Sequence, residues 1–302
     1  MGNSKPYRIK SITELHKIAG YDKPHHPLIS ILNLEGLSSS TSITTVIFDF
    51  YVVSMKRGCD KLFYGQQKYD FDEGVMAFLS PGQILRGEES GVPKNLSGWM
   101  LFIDPDFLWG TSLAGKIKKH EYFDYSTSEA LFLSDREETL INGIVENIRF
   151  EYQANIDKFS QDIIISHLET LLNYSERFYQ RQFITRKITN HHVLDRLERL
   201  LSDYFDNDDL ATKGLPTVQY ISENLNVSPS YLRSLLKTLT GKSTQQHIHD
   251  KLIQKAKEKL STTDLSVSEI AYELGFEHMQ SFSKLFKEKT KKSPLAFRAG
   301  FN

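Results

Sequence analysis

Two groups of side chains in the C-terminal third have the types and spacing to hydrogen-bond base edges and to pair with phosphate. The first is Ser230, Tyr231, Arg233, Ser234 and Lys237; the second is His278, Gln280, Ser281, Lys284 and Lys287. The planar fork of arginine matches the two acceptors on the major-groove edge of guanine, and a glutamine amide matches adenine. Lysine is a point charge suited to phosphate oxygens. Arg233 is accordingly assigned to guanine, Gln280 to adenine and Lys237 to phosphate. Tyr231, near the start of its segment, suits either a backbone contact or the filling of a small core.

Such groups work only when something rigid presents them, and the apolar residues around them describe that support. Ile221, Leu225, Val227, Leu232, Leu235, Leu236, Lys237 and Thr240 recur as Ile270, Leu274, Phe276, Phe282, Leu285, Phe286, Lys287 and Thr290. The offset is 49 residues through the first three and 50 afterwards, so the second copy has one more residue in its turn. One supersecondary unit is therefore written twice. In each copy an apolar i, i+4 pair runs into a turn, at Asn226 or Gly275, and a second helix follows. Ser228 is placed to cap that second helix in the first copy, with Pro229 at its first position. In the second copy Ser266 or Ser268 caps the first helix. Between the copies, Thr244 to Leu260 reads as one long helix with Ile248, Leu252, Ile253, Ala256 and Leu260 inward, a strut that fixes their separation. The helix N-termini at Ser268 and Ser293 offer backbone amides to phosphate.

The segments VSPSYLRSLLKTLTGKS and SVSEIAYELGFEHMQSFSKLFKEKTKKSPLAFR resemble the DNA-binding domain of the AraC family of transcriptional regulators, down to the closing pair Phe297 and Arg298. The resemblance covers about a hundred residues. It implies two helix-turn-helix units, double-stranded DNA and RNA polymerase as partners, a homodimer, and a regulator that is usually an activator. His247 stands where the family usually has Tyr. Lys291 stands where the family, like the first copy at Gly241, has Gly, so the second reading helix is expected to end differently.

Net charge supports the division of labour. The whole chain is near −1, but residues 228–302 hold 13 Lys or Arg against 7 Asp or Glu, +6, which leaves −7 for the remainder. Phosphate attraction therefore belongs to the end that carries the repeat.

The N-terminal part changes period. After a short helix near Ser11 to Ile18, residues 44–55, TTVIFDFYVVSM, are β-branched and aromatic, and KLFYG, KYDFDEG, VMAFLSPGQ and LSGWMLFI follow as short strands. Strands without intervening helices argue an antiparallel barrel or sandwich. The stretch from Phe71 to Gln83 resembles the small cupin-like barrel that serves AraC-family members as a sensor. Ser134 with Glu137 and Glu138 then opens a helix, and a second runs from about Asp157 to Gln180. In the family such a pair forms the dimer surface; packing on its own barrel is the other reading. The fold class is thus α+β and multidomain: residues 1–133 a cupin-like sensor barrel with an N-terminal arm, 134–188 a helix pair and linker, and 189–302 an all-α domain with two helix-turn-helix units.

Strict alternation turns Phe48, Phe50 and Val52 inward if Asp49 faces out, and Trp99 with Leu101 is expected to join them, with Tyr51, Lys61 or Tyr64 at the mouth. Such a lining suits a small organic effector, or simply a filled core. The alternative of a cupin-type enzyme carrying a DNA-binding domain needs clustered histidines, and the sequence has none between His26 and His120. No catalytic, metal or cofactor site is expected. Cys59 is the one cysteine, which leaves no internal disulfide. There is no apolar run long enough for a membrane span, and the start MGNSKPYRIK lacks a signal-peptide core, so a cytoplasmic location is expected.

Overall fold

The β-branched and aromatic run after residue 44 does not make one strand: it bends at Asp49, whose carboxylate takes a 2.8 Å bond from Arg8 Nε. The computed structural model describes residues 6–35, 45–57, 74–86, 97–154, 157–185, 187–206 and 210–300. The chain divides into two units, Met1–Thr185 and Arg186–Asn302.

The first unit is α+β. In chain order it runs β1 (Tyr7–Ile9), α1 (Ile12–Ala19), β2 (Ile29–Asn33), β3 (Thr45–Phe48), β4 (Tyr51–Arg57), β5 (Gly74–Leu79), β6 (Ile84–Arg86), β7 (Ser97–Ile103), α2 (Pro105–Leu108), α3 (Leu113–Lys116), β8 (Leu131–Leu133), α4 (Asp135–Gln153) and α5 (Ser160–Thr185). The strands form a three-stranded sheet, β1-β3-β6, and a five-stranded sheet, β2-β7-β4-β5-β8. The larger is antiparallel throughout. The smaller departs from the antiparallel expectation, because β1 pairs with β3 in parallel, Tyr7 opposite Val46. Helix α1 and strand β2 lie between them in sequence, and a crossover of that length is what parallel pairing needs. β1, β2, β6 and β8 were not foreseen, and the expected strands KLFYG and KYDFDEG lie outside the described residues except for Gly74, which opens β5, as do Lys61, Tyr64 and Cys59.

One core fills the space between the sheets: Phe48, Phe50 and Val52 pack with Ile9, Ile12, Leu15, Leu79 and Phe102. The rings of Phe50 and Phe102 meet edge to face at 5.8 Å. Trp99 is not among them, and its expected place with that trio is corrected by register. Val52 pairs with Phe102 and Val53 with Leu101, so Leu101 and Trp99 face the opposite side of the five-stranded sheet. There Trp99 Nε1 donates to Asn142 Oδ1 on α4 at 2.8 Å.

That side is covered by the helix pair. Ser134 and Glu137 form the expected capping box at the start of α4. Ile141, Val145 and Ile148 on α4 and Leu168, Leu171 and Leu172 on α5 are completely buried. Gln182 locks α5 to the strand edge, accepting from Phe132 N and donating to Ala130 O. Glu138, buried on α4, is held by a two-pronged bond from Arg57 at the end of β4, with Nη2 2.7 Å from Oε2. The carboxylate lies over Gly74, where a Cβ would come within 2.4 Å of it. Phe150, Ile163 and Ile184 remain exposed on the pair, as does Phe159 just before α5.

The second unit is helical: α6 (Lys187–Asp206), α7 (Leu210–Lys213), α8 (Val218–Leu225), α9 (Pro229–Thr240), α10 (Thr244–Thr262), α11 (Val267–Glu273), α12 (Met279–Thr290) and α13 (Pro294–Arg298). Its core draws Ile221, Leu225, Leu232 and Leu236 from the first sequence copy, Ile270, Leu274, Phe282 and Phe286 from the second, and Ile248, Leu252 and Ala256 from the long helix between. Full burial of each large apolar side chain contributes about 1.5–3 kcal/mol, which is why the inward positions of both copies read so clearly. Among the described residues no helix is long and apolar enough to cross a membrane.

Candidate nucleic-acid interface

Each sequence copy becomes two short helices joined by a tight turn. In the first, Thr217 caps α8, the chain turns at Asn226 with φ 56°, and Ser228 Oγ accepts from Tyr231 N to start α9. In the second, Ser266 and Glu269 form a capping box on α11, the turn passes through Gly275 with φ 82°, and His278 is the N-cap of α12 without a side-chain bond. Ser266, not Ser268, is therefore the start of α11. Ser268 lies within the helix and its hydroxyl reaches Met279 Sδ. A carboxylate at the third helical position can accept from Ser266 N, and Glu269 does so.

The extra residue of the second copy, Glu277, sits in that turn. Gly275 has a second reason to be glycine: a Cβ there would lie 3.0 Å from Leu210 O.

The ten candidate residues fall as the repeat requires. Leu232, Leu235 and Leu236 of α9 are buried, while Arg233 and Lys237 are exposed and Ser230, Tyr231 and Ser234 are half-buried. On α12, Phe282 and Phe286 are buried, and His278, Gln280, Ser281, Lys284 and Lys287 are all exposed. Ser230, Ser234 and Lys237 match Gln280, Lys284 and Lys287 at the offset of 50, so the two helices present equivalent outward faces. The second end of the pattern is also equivalent. Gly241 and Lys291 both take the left-handed conformation, which corrects the expectation that α12 would end differently.

Electrostatics separate the cations of this unit into two classes. Lys255 is bound by Asp206 and Glu258, Lys259 by Glu273, and Lys242 and Lys289 both by Asp250. Asp250 is partly buried, which alone would raise its pKa, but the bonds from Lys242 and Lys289 bring it below the usual aspartate value. No ion pair among the described residues involves Lys237, Lys284 or Lys287. These three project from the outward faces as uncompensated charge.

Other polar residues hold the frame. Arg298 donates to Leu260 O and Leu265 O, tying α13 to the last turns of α10 and to the segment after it, and Phe297 packs edge to face on Phe286. His247 Nε2 lies 2.9 Å from Thr240 Oγ1, joining α10 to the end of α9. Burial, then the neighbouring Lys242, lowers the His247 pKa below that of a free histidine. The role of Asp250 had no separate signature in the sequence; an acid within a basic helix was the available sign. Among the described residues no group of His, Cys, Asp and Glu is placed to hold a metal ion.

A family model described as a helix-turn-helix domain matches residues 221–300. The arabinose operon regulatory protein of Escherichia coli is 30% identical over 129 residues, 43% of this chain and 44% of that protein. The raffinose operon transcriptional regulatory protein RafR of Pediococcus pentosaceus is 37% identical over 82 residues, 27% of this chain and 30% of RafR. The chain spans less than half the length of either relative. Among solved structures, the C-terminal domain of AraT, a response regulator from Geobacillus stearothermophilus, is 30% identical, with 36% of this chain covering 84% of that one at a TM-score of 0.32.

Proposed function

We propose that this chain, which through its C-terminal unit belongs to the AraC family of helix-turn-helix transcriptional regulators, reads double-stranded DNA with α9 and α12 in successive major grooves. The observation that carries this reading is the pair of equivalent outward faces, each backed by a buried apolar row, with Lys237, Lys284 and Lys287 free of internal ion pairs among the described residues. Both helix pairs then act as helix-turn-helix units, and the strut α10 sets their phase. Arg233 and Gln280 face base edges, with Ser230, Ser234, Ser281 and His278 beside them, and the three lysines face phosphate.

The N-terminal unit is assigned the sensor role, with a cupin-like barrel as its ancestry and a small organic effector as its signal. Phe48, Phe50 and Val52 remain the interior residues proposed to respond, and on the other face of the five-stranded sheet a cleft of about 460 Å3 beside Trp109, with Tyr51 and Lys118 in its lining, supports a ligand entry on this unit. The exposed Phe150 and Ile163 on the α4–α5 pair support a homodimer through that pair. Effector binding then shifts which DNA half-sites the dimer occupies together and how it meets RNA polymerase, with activation as the expected outcome.

The test is the salt dependence of duplex binding by the full chain. Each lysine-phosphate contact adds about 0.9 to the slope of log affinity against log salt. Replacing Lys237, Lys284 and Lys287 by Gln should reduce the slope by about 2–3. An unchanged slope would remove these faces from the DNA.

A further inference from the structure

The two carboxylate oxygens of Asp250, on the strut α10, bond in different directions. Oδ2 accepts from Lys242 Nζ at 2.8 Å, two residues beyond the end of α9. Oδ1 accepts from Lys289 Nζ at 3.0 Å, in the last turn of α12. One side chain is thus shared by the closing ends of both outward helices.

Away from the helix ends, Ile248 and Leu252 of the strut share an apolar core with Phe282 and Phe286. Apolar burial holds surfaces together but has little directional preference, whereas charge-assisted hydrogen bonds fix where the bonded groups stand. Ion pairs this exposed add little to folding, so the consequence of the pair lies in orientation. The two helices also depend on it unequally. The end of α9 has a second polar tie to the strut, Thr240 to His247. The matching Thr290 bonds instead to Phe286 O in its own helix and to Lys292 O. Among the described residues, the side-chain polar tie of α12 to α10 is Lys289 to Asp250.

We propose that Asp250 is a positioning residue that fixes α12 relative to α9 and thereby sets the spacing between the two base blocks the protein accepts. It touches no base itself. The proposal rests on the two-helix reading above.

The test measures full-chain binding to a family of duplexes in which the two recognition blocks are moved apart or together by one base pair at a time. The native protein should lose about tenfold or more in affinity for a one-base-pair change, since α12 no longer meets its block. Asp250→Asn should cut that penalty to about threefold or less, with a smaller change in affinity at the preferred spacing. Lys289→Met should do the same, and Lys242→Met should do so less strongly, because Thr240 and His247 still hold α9. The Lys289 variant also keeps the test decisive if Asp250→Asn melts early. Were the native protein indifferent to spacing, the two-helix reading itself would fall. Native spacing dependence that both Asp250→Asn and Lys289→Met retain unchanged would overturn the role of Asp250 alone.

Discussion

Gly241 and Lys291 close the two outward helices in the same left-handed conformation, φ 73° and ψ 2° at the glycine and φ 63° and ψ 5° at the lysine. In each case the cap amide returns to a lysine carbonyl four residues back, at 3.0 Å to Lys237 O and 2.8 Å to Lys287 O. The helix end is therefore dictated by its neighbours, and the residue type follows or bears the strain. A side chain in this region costs about 1 kcal/mol relative to glycine. Lys291→Gly should stabilise the second unit by about that amount, read as a higher midpoint in urea. Destabilisation would mean that Lys291 is not strained.

Gly275 is the opposite case. Asn226 makes the corresponding turn in the first pair, but at Gly275 a Cβ would crowd the backbone of Leu210, 3.0 Å from its carbonyl oxygen. Gly275→Asn should lower stability by about 2 kcal/mol or more despite copying the other unit. A neutral change would show that α7 yields.

How much of this was legible follows from what each feature depends on. The inward rows of α8, α9, α11 and α12 were readable because burial at 3.6-residue spacing is a local pattern, and Ile221, Leu232, Ile270 and Phe282 are all completely buried. The face of Trp99 was not, because register depends on which strands become neighbours, and a one-residue difference reverses the face. The parallel β1–β3 pair, the contact between Arg57 and Glu138 81 residues apart, and the sharing of Asp250 are products of tertiary placement with no local period. The outward residues of the candidate site were legible as types on a face, since the repeat sets them in register. Tyr64 lies outside the described residues.

Arg233 and Lys237 should separate by kind of contact. Arg233→Ala should relax preference at one base position by about 1–3 kcal/mol, while Lys237→Ala should weaken binding to all sequences alike. Competition with cognate and random duplexes measures both. Equal losses on the two competitors for both variants would contradict the assignment.

The buried carboxylate of Glu138 depends on Arg57 for its charge partner. Arg57→Ala should destabilise the first unit by about 2–3 kcal/mol, and Arg57→Ala with Glu138→Gln should recover part of that loss. A thermal scan of the single and double variants decides; an additive double variant would deny the coupling.

His247 makes the second unit sensitive to mild acid. Its folded pKa lies below the unfolded value because burial and then Lys242 disfavour the imidazolium, so the unfolded chain binds more protons. Stability is therefore complete above about pH 6.5 and falls as pH drops through the folded pKa. His249 adds in the same direction through burial and Lys289. The unit should melt lower at pH 5.5 than at 7.5, a window above the titration of Asp250. His247→Tyr should shrink the difference, and an unchanged difference would assign it elsewhere.

The most direct measurement is selection of bound duplexes from a random pool by the full chain, at near-physiological salt so that bulk phosphate attraction does not mask preference. The two-helix reading predicts enrichment of a motif with two blocks about one helical turn apart, centred about 34 Å from each other. A folded protein that enriches no such pair of blocks, or only a single one, would contradict it.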